Sequence, residues 1–264
     1  MKKIFVLKIG INDSKKEEAL EFIIKGLAQK GKKYKIFTPN PEMIVYANKD
    51  RRFKNVLNSA DLALPDGMGL LWAAKILGIQ LQNRITGVDF MEELCKEAAK
   101  WGLTVGLMGG GPKIAEKVAE CLRRKYPSLK ITFVGEEWPS TLSSRPTERS
   151  KGVEAFGSEA QARRGSHLPK ANAIDILFVA LGFPKQEKWV DENLAKIPVR
   201  AAMVVGGSFD YISGVVPRAP LFLRALGLEW LFRLIVQPWR IRRQLALIEF
   251  VFLVLKERIF GKTS

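Results

Sequence analysis

The chain has 264 residues, 47% of them hydrophobic and 27% charged, and its 43 Lys and Arg against 27 Asp and Glu leave a net charge of +16. That much apolar content excludes a disordered protein, and the length suits one large domain or a domain with an appendage rather than three. A single His167 and two separated cysteines, Cys95 and Cys121, offer neither a disulfide framework nor a zinc site, and they point to a reducing compartment. The positive excess asks for a polyanionic partner: nucleic acid, an acidic membrane surface or a phosphorylated substrate.

Met1-Lys2-Lys3 followed by Ile4 to Leu7 has the outline of a signal peptide, but Lys8 interrupts the apolar run and no small-residue cleavage site follows. Lys3–Ile9 is therefore expected to be a first strand. Lys15–Lys30 carries Ala19, Leu20, Ile23, Ile24 and Leu27 at helical spacing. Tyr34–Phe37 is the next expected strand, ending at Thr38-Pro39-Asn40-Pro41, and Glu42–Lys54 the next helix. Leu62–Leu64 (strand), Met68–Leu77 and Val88–Trp101 (helices), Thr104–Met108 (strand), Lys113–Lys125 (helix), Ile131–Val134 and Ile176–Ala180 (strands), Glu187–Leu194 (helix) and Met203–Val205 (strand) follow. Such alternation predicts an α/β fold, a Rossmann-like and mostly parallel sheet flanked by helices.

Two stretches depart from it. Between Pro139 and Lys170, Ser, Arg, Gly and Pro dominate, which marks an inserted loop or a segment foreign to its surroundings. From Val215 onward, Arg218, Arg224, Arg233, Arg240, Arg242 and Arg243 interleave with Trp230, Trp239 and many Leu, Ile and Phe residues. This tail is expected to be a basic amphipathic helical appendage lying on an anionic membrane surface. Its longest apolar run, Leu245–Leu255, is broken by Glu249 and is about half of the ~20 residues a spanning helix needs, so no transmembrane helix is expected.

The residues suited to chemistry lie at strand ends. Asp66 follows a short strand and precedes Gly67, a position for a general base or for a helix cap. Thr38 and Asn40 could offer hydroxyl and amide groups into the same crevice or simply form a turn. Gly109, Gly110 and Gly111 between a strand and a helix make a phosphate-cradling loop. They match only part of the dinucleotide fingerprint, and Glu136 or Glu137 could serve as its ribose carboxylate, which keeps a nicotinamide-dependent oxidoreductase open. Gly182 to Glu187 brings Gln186 toward the same edge, and Gly206 to Asp210 is a third junction. With no Asp-x-Asp sequence, a diphosphate would be met by Arg84 or by Arg233, Arg240 and Arg243 rather than by magnesium. A non-enzymatic module binding membrane or nucleic acid is the other alternative.

Together, Thr38 to Met43, Ala60-Asp61 with Pro65 to Gly69, Arg84 to Asp89, Gly182 to Glu187, and Gly206 to Asp210 with Pro217 to Pro220 resemble the WecG/TagA/CpsF glycosyltransferases, most of all the TagA type. The resemblance spans nearly the whole chain outside 139–170. It implies a metal-independent, cofactor-free, inverting transferase. Such an enzyme moves N-acetylmannosamine from UDP-ManNAc to undecaprenyl-diphosphate-linked GlcNAc for a wall teichoic acid or related linkage unit, with no nucleic-acid partner.

Residue by residue, the resemblance makes Asp66 the base at the GlcNAc hydroxyl. Thr38, Asn40 and Arg84 become lining groups, Gln186 and Asp210 nucleotide-sugar contacts, and Gly109 and Gly110 nucleotide contacts. Arg233, Arg240 and Arg243 become tail groups that stabilise departing UDP. It also implies a catalytic domain over 1–214, an appendage over 215–264 and a cytoplasmic location on the inner face of the bacterial membrane; the apolar tail itself favours a homo-oligomer away from it. The unmatched 139–170 segment would lie near the uracil side.

Overall fold

The protein is described from a computed structural model, over residues 1–29, 31–139 and 173–261. Nearly all of the anomalous 139–170 stretch lies outside the described residues. Six parallel strands form the central sheet: β3 (Tyr34–Phe37), β4 (Leu62–Ala63), β5 (Thr104–Gly109), β6 (Lys130–Gly135), β7 (Ile174–Ala180) and β8 (Val199–Val204), in the order β4-β3-β8-β7-β5-β6. Helices α1 (Lys16–Ala28), α5 (Gly87–Trp101) and α6 (Ile114–Lys125) cover one face. Helices α2 (Pro41–Lys49), α3 (Arg51–Asn58), α4 (Met68–Leu77), α7 (Lys185–Asn193) and α11 (Ile241–Phe260) cover the other.

Strand side chains alternate between the two layers, as the two-residue period of a strand demands. Ile176 and Phe178 point into the α1/α5/α6 layer, Leu177 and Val179 into the α2/α4/α11 layer, and all four are fully buried. Burial on both faces explains why these strands read as continuous apolar runs.

The first expected strand is instead a hairpin, β1 (Lys3–Val6) paired antiparallel with β2 (Ile9–Asn12) and separate from the main sheet. Leu7 and Lys8 turn the chain with φ of 49° and 65°, a left-handed turn that these side chains do not advertise. Side chains fasten it to the core: Asn12 Oδ1 accepts from Ala63 N–H (2.8 Å) and Asn58 Oδ1 from Gly10 N–H (2.8 Å). The expected helix over 42–54 is two helices, because the Asp50 carboxylate accepts from Phe53 N–H (2.9 Å) and starts α3.

Short helices α8 (Ser208–Ile212), α9 (Leu221–Ala225) and α10 (Glu229–Val236) lead to a 3-10 turn at Pro238–Arg240 and then α11. Pro238 separates Arg233 from Arg240 and Arg243, so the three do not share one continuous helix. Helix α11 packs on α2 and α4 and buries Phe250 and Val254 in the core. Its other face, with α9 and α10, leaves Leu221, Phe222, Ile235, Trp239 and Phe252 exposed. Among the described residues no helix is long and apolar enough to cross a membrane.

Candidate active site

The carboxyl ends of β3, β4, β5, β7 and β8 open on one edge of the sheet, where open α/β folds bind ligands. A cavity of roughly 770 Å³ lies there, and the tail closes its far wall. Thr38, Asn40, Asp66, Arg84, Gly110, Gln186 and Asp210 line it from the α/β body, and Arg233, Arg240 and Arg243 from the tail. Gly109 alone of the expected site residues does not line it. It ends β5 with φ of +96°, and a Cβ there would stand 2.7 Å from the Ala180 carbonyl oxygen, so its role is close strand packing; Gly111 lines the cavity instead.

Asp66 does not cap the next helix, since Gly67 occupies that position. Burial pushes its carboxyl up to about 7, and the neighbouring Glu229 adds to the rise, while Arg84 and the Gly87 N–H oppose it. The residue keeps some accessible surface, but that surface faces the cavity. A carboxylate with proton affinity near neutrality is a far better base than an exposed aspartate.

Asn40 is a helix cap that also lines the cavity. Its Oδ1 accepts from Met43 N–H (3.0 Å) as the cap of α2, and this fixes the amide at the cavity wall. Thr38 is largely buried beside it. Gln186 is held from both ends: its Oε1 accepts from Gly206 N–H (3.1 Å), and its Nε2 donates to Glu187 Oε1 (2.8 Å). Glu187 is itself fully buried, with its Oε2 unpartnered among the described residues, and burial pushes its carboxyl up to about 7.

The arginines differ in how far their charge is met. Arg233 donates to Asp210 Oδ2 (2.8 Å) and lies 4.7 Å from the centre of the Tyr211 ring. Arg243 makes a forked contact with Glu42, with Nη2 2.6 Å from Oε2 and Nε 2.8 Å from Oε1. Arg84 donates to the Arg224 carbonyl (3.1 Å), which ties the body to the tail. Among the described residues the Arg240 side chain donates only to Gln237 Oε1 (3.3 Å), and burial beside Arg233 and Arg243 pushes it down to about 10. It stays protonated at neutral pH and is the cation with most to gain from an incoming phosphate.

Glu229 sits among the basic residues of the tail and carries no site signal in the sequence. It lines the cavity and is held by Arg218, whose Nε donates to its Oε1 (3.3 Å) and whose Nη1 donates to Asp89 Oδ1 (2.7 Å). Its separation from Asp66 by more than 160 positions hid the pairing. Glu136 and Glu137, which the oxidoreductase reading needed at a ribose, do not line the cavity. Among the described residues no group of three or more His, Cys, Asp or Glu is placed to hold a metal ion.

An α/β body with its ligand crevice at the strand ends, a carboxylate with raised proton affinity and a cluster of arginines is an arrangement suited to group transfer on an anionic substrate. The chain belongs to the glycosyl transferase WecG/TagA/CpsF family, whose pattern matches residues 4–264. Three similar proteins all bear the name N-acetylglucosaminyldiphosphoundecaprenol N-acetyl-beta-D-mannosaminyltransferase. That of Bacillus subtilis is 34% identical over 230 residues, 86% of this chain and 81% of its own. That of Bacillus spizizenii is 33% identical over 228 residues, with the same shares. That of Staphylococcus aureus is 29% identical over 223 residues, 84% of this chain and 80% of its own. The protein is thus a glycosyltransferase, and neither the oxidoreductase nor the non-enzymatic reading has support.

Proposed function

We propose that this chain transfers N-acetylmannosamine from UDP-ManNAc to GlcNAc-diphosphoundecaprenol, with inversion and without a metal, to build the linkage unit of wall teichoic acid or a related surface polymer. The observation that carries this reading is the single cavity in which Asp66 of the body and Arg233, Arg240 and Arg243 of the tail meet. In the reaction a GlcNAc hydroxyl oxygen attacks the anomeric carbon of the donor while Asp66 takes the hydroxyl proton. The bond from that carbon to the UDP oxygen breaks, and its electron pair leaves on the diphosphate. Arg240, joined by Arg233 and Arg243, meets the charge that develops there. Thr38, Asn40 and Arg84 hold the sugars, and Gln186, Asp210 and the Gly110-Gly111 turn hold the nucleotide. One displacement at one carbon gives inversion.

In this reading residues 1–214 form the catalytic domain and 215–264 an appendage that rests on the inner face of the cell membrane. The exposed Phe222, Ile235, Trp239 and Phe252 and the net charge of +16 support that placement on an anionic surface. Because the tail closes the cavity wall, seating it at the bilayer would also keep water from the donor.

The test is sugar transfer from UDP-ManNAc to a short-chain GlcNAc-diphosphate-lipid in the presence of EDTA. Product is expected at a rate that manganese does not raise. Folded protein that binds UDP but makes no product refutes this donor and acceptor pair, and inhibition by EDTA that manganese reverses refutes the metal-free mechanism.

A further inference from the structure

The cavity does not end at the arginines. Its wall continues along α4 through Trp72, Ala73 and Ile76 and along α11 through Leu247, Val251 and Val254. Trp72 and Ile76 fall four apart on α4, and Arg243, Leu247 and Val251 fall four apart on α11, so each set lies on one face of its helix. The same face of α11 is therefore cationic at its first turn and apolar from Leu247 to Val254. Val254 follows Arg243 by eleven positions, about 16 Å of helix at ~1.5 Å per residue. Ala73, Phe250 and Val254 are 2–3% exposed and form the floor of this slot, whereas Trp72 (56%), Ile76 (42%) and Val251 (53%) stand at its rim.

One continuous cavity thus offers, in order, hydrogen-bonding groups and a base, then cations, then an apolar slot. A sugar joined through a diphosphate to a hydrocarbon chain has the same three parts in the same order, and its diphosphate would share with the departing UDP the end of the cluster nearest the slot, at Arg243 on α11. We infer that the slot between α4 and α11 binds the first isoprenyl units of the acceptor lipid, so that the enzyme grips the chain itself as well as the sugar and diphosphate. This rests on the acceptor proposed above. Continuity with the arginine cluster distinguishes the slot from the exposed Leu221, Phe222, Ile235, Trp239 and Phe252 of the tail, which do not line the cavity.

The experiment uses the full chain, UDP-ManNAc, and GlcNAc-diphosphate acceptors carrying no, one, two or three isoprenyl units, below the concentration at which they self-associate and with neither detergent nor vesicles present. With ~0.8 kcal/mol for each buried methylene as an upper guide, kcat/KM should rise by about tenfold or more over the first units and then level off. The rise should lie mainly in KM. Ile76→Asp and Val251→Asp, at rim positions where a polar side chain can reach water, should each shrink that gain by about tenfold. Transfer that proceeds equally well at every chain length overturns the slot and leaves the transferase reading standing. A gain that appears only when vesicles are added assigns the effect to membrane anchoring and also overturns it. No transfer to any acceptor removes both readings.

Discussion

Asp66 illustrates how much one residue depends on groups remote in sequence. As a base it must be ionised, and with its carboxyl near 7 activity should fall as pH drops through that value. Asp66→Asn should lower kcat by ~10²–10⁴-fold with UDP affinity nearly unchanged, as judged by kinetics beside calorimetric titration. Glu229→Gln removes a negative neighbour, so the acidic limb of the rate profile should move to lower pH; a limb that stays in place would detach Glu229 from the base. Glu187 makes a second test with the opposite bearing on stability. Its folded value of about 7 is above the ordinary 4.5, so the ionised form is disfavoured in the fold. The resulting loss of stability is absent below about pH 4, grows as pH rises, and is complete above 7. Glu187→Gln should therefore raise Tm at pH 8 and not at pH 4 in a thermal melt.

At the scale of elements, the tail helices are both a surface and a part of the core. Phe250 is 3% exposed against α2 and α4, so Phe250→Ala should cost ~3–5 kcal/mol in a urea titration. A loss under 1 kcal/mol would show that α11 only rests on the body. Strand periodicity made β3 to β8 legible, because buried parallel strands are continuous apolar runs. The hairpin turn at Leu7-Lys8 was not legible, since neither residue marks a left-handed turn. The division of α2 from α3 was missed because Asp50 fits a helix surface as well as a cap. In the site, strand-end residues such as Asp66 and Gln186 could be singled out from position, but the Glu229 pairing and the α4/α11 slot exist only once the tail folds back. No local pattern encodes that return.

Taken whole, the molecule carries its positive excess together with apolar side chains that the body leaves uncovered. Binding to vesicles containing anionic lipid should weaken as salt is raised, yet persist in part through the exposed aromatic groups as they enter the bilayer. Trp239→Ala with Phe252→Ala should release most of the protein in a sedimentation assay, while the isolated fold keeps its Tm. Salt-insensitive binding, or binding equal on neutral vesicles, would count against the electrostatic share of this attachment.

Gly207 lies beneath Arg233, where an added Cβ would stand 2.8 Å from the guanidinium carbon and closer still to both terminal nitrogens. The smallest possible mutation at this position of the body is thus an appendage mutation in disguise. Gly207→Ala should mimic loss of Arg233 in the transfer assay. In a genetic selection for restored surface polymer, second-site suppressors should gather at position 233 and its neighbours in α10, with shorter cations such as Arg233→Lys among them, rather than around Gly207 itself. Suppressors confined to the loop at 206–208 would mean that the crowding is relieved locally and that the two halves of the site vary independently.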